Sequence, residues 1–158
     1  MDEAAKKEAL RLFTYGLYAV TTGTVEDVAA FTANWLSQVS FDPPLVAVSV
    51  QNDSHSLPVV QRTGTFAVSV FDETQRELAG RLGKTYAKSP DKALGLTYEA
   101  GTTGCPLLRD ALASVECQVE GQLPAGDSTI VLGRVVNSRV WRQGAPLTMR
   151  AAGFKHAG

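Results

Sequence analysis

FTANWLSQVSFDPPLVAVSV, residues 31–50, decides how the chain is read. Its last third, LVAVSV at 45–50, alternates apolar and small residues with the two-residue period of a strand that turns one face to a core. The part before it crowds hydroxyls, an amide and an indole against a double proline. Short polar side chains gathered at a strand end either satisfy turns and strand caps or offer hydrogen bonds to a ligand. Composition leaves both readings open.

Outward from this stretch, strand-like runs recur at 17–22 (LYAVTT), through 31–39, and at 66–71 (FAVSVF), 112–121 (LASVECQVEG) and 128–141 (STIVLGRVVNSRVW). Most are bounded by Gly, Pro, Asn or Asp. Within the fourth run, alternation puts Ala113, Val115, Cys117 and Val119 on a core face, and Ser114, Glu116, Gln118 and Glu120 on the opposite one. Helices are few. Residues 3–13 read as one, with Ala5, Ala9, Leu12 and Phe13 on its apolar side and a stop near Gly16. Residues 56–62 read as a second. Asp72, three residues before Gln75, resembles a capping box that opens a third, with Leu78, Ala79 and Leu82 inward and a stop at Gly83. PAGD at 124–127 reads as a turn, and the polar stretch 84–104 as a long loop, functional or mobile rather than structural. Many short strands with few helices predict a mainly β chain, a small β-barrel with a few short helices. With no repeat and no linker, residues 1–158 are expected to form a single domain.

At 158 residues and 44% hydrophobic content the chain can bury a sizeable core. Fifteen basic against sixteen acidic side chains, with no basic run, argue against nucleic acid as a partner. No stretch approaches the ~18 apolar residues of a membrane span, and MDEAAKKEALRLF lacks an apolar leader core, so a cytoplasmic location away from membranes is expected. Cys117 reads as core, and Cys105 as a packed or idle thiol with no histidine near it in sequence. A zinc site would have to gather His55, His156 and both cysteines from four separate segments, so no metal is expected. There is no GxGxxG and no GxxxxGK[ST]. Asp53, Ser54 and His55 carry the letters of a triad, but consecutive side chains in extended backbone point to opposite faces. No catalytic residue is assigned.

Two clusters of small hydrogen-bonding residues remain. One comprises Thr32, Ala33, Asn34, Ser37 and Ser40; the other Ser49, Asn52, Ser54 and Ser56. Such groups and their backbone N–H donors bring hydrogen bonds close to an anionic oxygen without the bulk of a basic side chain. Nearby, Thr32 and Asn34 offer bonds to the edge of a heteroaromatic ring, and Trp35 offers a flat apolar surface.

The stretches GLYAVTT, FTANWLSQVSFDPPLVAVSV, NDSHSLPVVQRTGTFAVSVFDETQRELAGRLG, GCPLLRDALASVECQV, GDSTIVLGRVV and APLTMRAAGF, in this order and spacing over residues 10–154, resemble the flavin reductase domain family of FMN-binding split β-barrels. TYGLY at 14–18 is similar to the branch found as FMN modules of rubredoxin-linked electron-transfer proteins. The resemblance implies FMN as cofactor, with FAD as its alternative. It sets Thr32, Ala33, Asn34 and Trp35 along the isoalloxazine, with Ser37 close by. It gives Ser49, Val50, Asn52, Ser54, His55 and Ser56 to the ribityl chain and phosphate, and Lys84 to a charge-assisted phosphate bond. Relatives that use NADH commonly read GDH where this chain reads GDS, at 126–128. Ser128 is the expected substrate contact; it keeps a hydroxyl but lacks the stacking face and ionisation of an imidazole. His156 is expected to be exposed and idle. The resemblance also implies a homodimer, with Trp35, Leu36 and Phe41 as contact residues. The expected activity is that of an NAD(P)H-dependent flavin reductase. The alternatives are an FMN electron-transfer module that exchanges electrons with a redox protein partner without nicotinamide turnover, and a barrel that binds another ligand and catalyses nothing.

Overall fold

The computed structural model describes residues 1–158. In chain order the elements are α1 (Glu3–Arg11), β1 (Tyr18–Thr24), β2 (Asp27–Ala33), β3 (Leu36–Ser40), β4 (Leu45–Gln51), α2 (Ser56–Thr63), β5 (Thr65–Val70), α3 (Arg76–Leu82), β6 (Tyr98–Ala100), β7 (Pro106–Leu108), β8 (Ala113–Ala125), β9 (Ser128–Val140) and α4 (Met149–Ala152). Seven strands make one antiparallel sheet in the order β2-β1-β5-β8-β9-β4-β3, and β6 and β7 form a separate hairpin. The chain is thus mainly β, and the hydrogen-bonded order ends at β2 and β3 without closing.

The longest pairing, β8 with β9, turns on Gly126 and Asp127. Gly126 has φ +66°, which a two-residue hairpin turn needs at its first central position and which glycine adopts without steric cost. The turn is therefore shorter than the expected PAGD, because β8 runs on to Ala125.

One face of the sheet encloses Val46, Val48 and Val50 of β4, Phe66 and Val68 of β5, Cys117 of β8 and Val131 of β9, with Leu57 and Val60 of α2 packed on them. Burying side chains of this size contributes roughly 1.5–3 kcal/mol each. Gly133 on β9 makes room for the Phe66 ring: a Cβ there would sit 2.5 Å from the ring and 2.8 Å from Cys117 Cβ. The opposite face packs Leu17, Ala19, Ala30 and Phe71 against Ala79 and Leu82 of α3, Leu108 of β7 and Met149 of α4.

That second layer covers the other face of β8 as well. Ser114 and Glu116 are fully buried beneath the β6–β7 hairpin and the loop before β7. Their polar groups are satisfied there. Ser114 Oγ lies 2.7 Å from Ser69 Oγ and accepts from Trp141 Nε1 at 3.2 Å. The Glu116 carboxylate accepts from the backbone N–H and hydroxyl groups of Thr102 and Thr103 and from Asn137 Nδ2. Burial alone would push this carboxyl up, but the Thr103, Asn137 and Thr102 donors outweigh it and hold the group below its ordinary range.

Other expectations also need correction. Residues 31–39 form two strands rather than one, because the chain leaves the ladder at Asn34 and Trp35. Helix α1 is capped by Asp2 Oδ1, which accepts from Ala5 N at 3.1 Å, but it buries no residue, and Leu12 and Phe13 lie exposed beyond it. The capping box at 72–75 is half made. Gln75 Oε1 accepts from Asp72 N, whereas Asp72 Oδ1 bonds Thr74 rather than Gln75 N, so α3 starts only at Arg76. Cys105, by contrast, is packed as expected: it is fully buried against Ala67 and Leu107, where burial pushes its thiol up to about 12.

Candidate functional site

Strand β2 pairs with β1 and strand β3 with β4, at opposite ends of the sheet, yet only Asn34 and Trp35 separate them in the chain. This crossing leaves a gap between the two sheet ends, and the gap is a cavity of about 950 Å³. A volume near the top of the ~300–1,000 Å³ range of ligand pockets holds a cofactor-sized molecule.

Both polar clusters reach it. Thr32, Ala33, Asn34 and Trp35 line one side; Ser49, Val50, Ser54, His55 and Ser56 line another, and Lys84 and Ser128 complete the set. Ser37 and Asn52 do not line this cavity. Ser37 lies past the crossing, exposed, with its hydroxyl bonded to Gln38 O. Asn52 ties the end of β4 to the β8–β9 turn: its Nδ2 donates to Gly126 O at 3.2 Å and its Oδ1 accepts from Thr129 Oγ1 at 2.7 Å. Asn52 is thus engaged in the turn, whereas Ser37 stands on β3 outside the cavity wall.

The Thr32 hydroxyl and the Asn34 amide nitrogen are also committed within the chain. Thr32 Oγ1 donates to Ala79 O at 2.5 Å, fastening β2 to α3. Asn34 Nδ2 donates to Met149 Sδ at 3.2 Å and to His156 O at 3.1 Å. The backbone is what β2 has to offer. Ala30 N on its free edge donates to Tyr86 Oη at 2.9 Å, so the two-residue alternation turns Thr32 N–H and C=O off that same edge.

The start of α2 supplies further donors. Ser54 Oγ accepts from Leu57 N at 3.2 Å, and Pro58 has no N–H. The N–H groups of His55 and Ser56 have no partner in the chain, and they stand at the positive end of the helix. The His55 ring stacks on Tyr86, centroids 4.1 Å apart at 28°.

Sequence reasoning missed Lys92. It is only 3% exposed and lines the cavity with Lys84, and its Nζ donates to Leu82 O at 2.7 Å and Lys84 O at 2.6 Å, 4.5 Å from the centre of the Tyr86 ring. No carboxylate pairs with either lysine. Burial pushes the Lys92 ammonium down to about 8, and it pushes the Tyr86 phenol up. The loop 84–104 has no periodicity from which such a burial could be read.

The cavity also takes in residues after α4. Thr148 Oγ1 caps that helix by accepting from Ala151 N, and Gly153, at φ +72°, turns the chain so that Phe154, Lys155 and His156 form part of the wall. His156 is exposed as expected, with its ring centre 5.2 Å from that of Trp35.

A pocket lined by unpaired donors, cations and aromatic faces defines a β protein suited to a flat ligand bearing an anionic group. Comparison with known proteins makes this specific: the chain belongs to the family described as flavin reductase like domain, whose model matches residues 10–158. It is 36% identical over 146 residues to the actinorhodin polyketide dimerase of Streptomyces coelicolor, covering 92% of this chain and 81% of that protein. It is 33% identical to an NADH-dependent flavin reductase of Rhodococcus, covering 94% and 83%. Among solved structures, the flavin reductase PheA2 in its native state superposes with a TM-score of 0.81 at 29% identity, over 94% of this chain and 93% of that one. Other relatives are longer: the chain spans 50% of one from Rhizobium meliloti and 62% of the high molecular weight rubredoxin of Moorella thermoacetica.

Proposed function

We propose that this chain binds FMN in the cavity between β2 and β4 and acts as an NAD(P)H-dependent flavin reductase. The observation that carries the reading is the meeting of both polar clusters and two unpaired lysines in one cavity, in a chain of this family. The donor set fits the cofactor, with neutral N–H groups and two ammonium groups for a phosphate and exposed strand edge for a ring bearing amide-like groups. FAD is the alternative.

When bound, the flavin supplies the redox chemistry, taking up hydride and passing electrons on. The free backbone edge of Thr32 orients the ring, Ala33 lies beside it, and Trp35 walls it on one side. The N–H groups of His55 and Ser56, with Lys84 and Lys92, hold the phosphate. Ser49 and Val50 flank the ribityl chain, and Ser128, 4% exposed on β9 beside the end of β4, stands where substrate contact is proposed. Orientation and exclusion of water are the work asked of these residues.

The same reading takes residues 1–158 as one domain, the open sheet as the split barrel of the family, and the cytoplasm, where NAD(P)H is supplied, as the location. It takes the active form as a homodimer joined around Trp35, half-buried Leu36 and Phe41, which is 91% exposed. A second reading, an FMN module serving a redox protein partner, is favoured by the rubredoxin relative and by the absence of an imidazole at Ser128.

Purified protein supplied with FMN is expected to retain it through gel filtration and to bleach rapidly on anaerobic mixing with NADH or NADPH. Retention of FMN without bleaching would select the electron-transfer reading. Failure to take up FMN would defeat both.

A further inference from the structure

Tyr86 stands in the cavity wall beside the start of α2, and it is held there from three sides. Its hydroxyl accepts from Ala30 N at 2.9 Å, the exposed His55 ring stacks on it with centroids 4.1 Å apart, and the buried Lys92 ammonium lies 4.5 Å from its ring centre. The loop that carries Tyr86 is closed at its base, because Lys92 Nζ bonds both Leu82 O and Lys84 O. It is also folded on itself, with Lys88 N and Ser89 N donating to Thr85 O at 3.1 and 2.9 Å. Swinging the half-buried Tyr86 aside would strip Ala30 N–H of its partner and Lys92 of its aromatic face. The ring is a fixed wall.

Charge points the same way. Two ammonium groups and two free N–H donors suit an anion whose charge is concentrated at one end of the ligand. A terminal phosphate monoester carries about −1.5 to −2 at neutral pH, whereas each phosphate inside a pyrophosphate diester carries a single charge. Just before α2, Asp53 lines the cavity and shares with Asp127 a smaller polar recess of about 310 Å³. Neither carboxylate has a basic partner, so a second phosphate leaving in that direction would meet uncompensated negative charge.

We infer that the cavity selects a flavin that ends at its phosphate over one extended by an adenylate, and that Tyr86, backed by His55, is the residue that sets this specificity. The inference rests on the flavin reductase reading above and narrows its choice of flavin to FMN. FAD would have to carry its adenylate through the Tyr86–His55 pair, breaking their stack, or past Asp53 and Asp127 against their charge.

The test titrates FMN and FAD, separately, into flavin-free protein by calorimetry and reads the ratio of their dissociation constants, which a general loss of stability would not move. Wild-type protein is expected to bind FMN at least about tenfold more tightly than FAD. Tyr86→Ala should bring the two affinities to within about threefold of each other, and His55→Ala, which removes only the exposed ring of the stack, should narrow the ratio by about two- to fourfold. The inference is overturned if wild-type protein binds FAD as tightly as FMN or more tightly, or if Tyr86→Ala leaves the ratio unchanged. Should circular dichroism show Tyr86→Ala unfolded, an unchanged ratio in His55→Ala overturns it instead. Wild-type protein that takes up neither flavin defeats the underlying reading, so the two failures are told apart before any variant is made.

Discussion

A lysine buried without a carboxylate, as Lys92 is, keeps its charge only at a cost that an incoming anion relieves. Two carbonyl oxygens take two of its protons' worth of bonding, and the third donor remains for a ligand. Lys92→Met is therefore expected to weaken FMN by roughly 10–100-fold, the worth of one charged hydrogen bond, while riboflavin, which lacks the phosphate, changes by less than about threefold. Quenching of flavin fluorescence measures both. The pH dependence follows from the same group. Its folded value of about 8 lies below the ordinary 10.5, so between these values the unfolded chain holds a proton that the folded chain does not. Stability in the absence of ligand should rise with pH across that window, and Lys92→Met should flatten the rise; FMN affinity of the wild type should instead fall above about pH 8. Equal loss of FMN and riboflavin in the variant would assign Lys92 to the fold alone.

At the scale of elements, Glu116 ties two of them together. It sits on β8 and gathers donors from the turn before β7, clasping the hairpin to the sheet. Gly101 comes so close that any Cβ there would overlap the carboxylate. Glu116→Gln keeps the shape but turns N–H groups toward Thr donors, and is expected to cost about 2–3 kcal/mol, a fall of roughly 5–10 °C in Tm by circular dichroism. Because the folded carboxyl titrates below its ordinary 4.5, its contribution is fully present above that value. The gap between wild type and variant should close as pH falls through the folded value, and a gap that persists unchanged into acid would refute the charge argument. This clasp also marks where the sequence stopped being legible. Strands β4, β5 and β8 were readable because Val, Phe and Cys recur every second residue along them, and β9 because Ile130, Val131, Leu132, Val135 and Val136 make a largely β-branched, apolar run. The burial of Ser114 and Glu116 was not, since alternation tells one face from the other but cannot tell that a distant hairpin covers the second. Likewise Asn34 and Trp35 were legible as candidates, and they do line the cavity, while the break they make between β2 and β3 was hidden by apolar and polar residues that continue the strand pattern across it. Contacts made by loops and ends, such as Tyr86 with Ala30 and His156 with Trp35, left no periodic trace at all.

For the molecule as a whole, the cavity draws its walls from β2, β4, β9, α2, α3 and the residues after α4, so a ligand that fills it couples elements from both cores. FMN at about a hundred times its Kd should stabilise the fold by ~2.7 kcal/mol and raise Tm by roughly 5–10 °C, with a smaller rise for riboflavin at the same concentration. A melting temperature indifferent to FMN would place flavin outside the cavity. The open ladder has one more consequence. On one side its border is covered, since Tyr86 occupies Ala30 N–H and α3 lies over β2. On the other, β3 is five residues long, and its register slips between Gln38 and Ser40. A border so short and so kinked makes a poor template for recruiting further strands, so the molecule can leave its sheet unsealed without seeding fibrils.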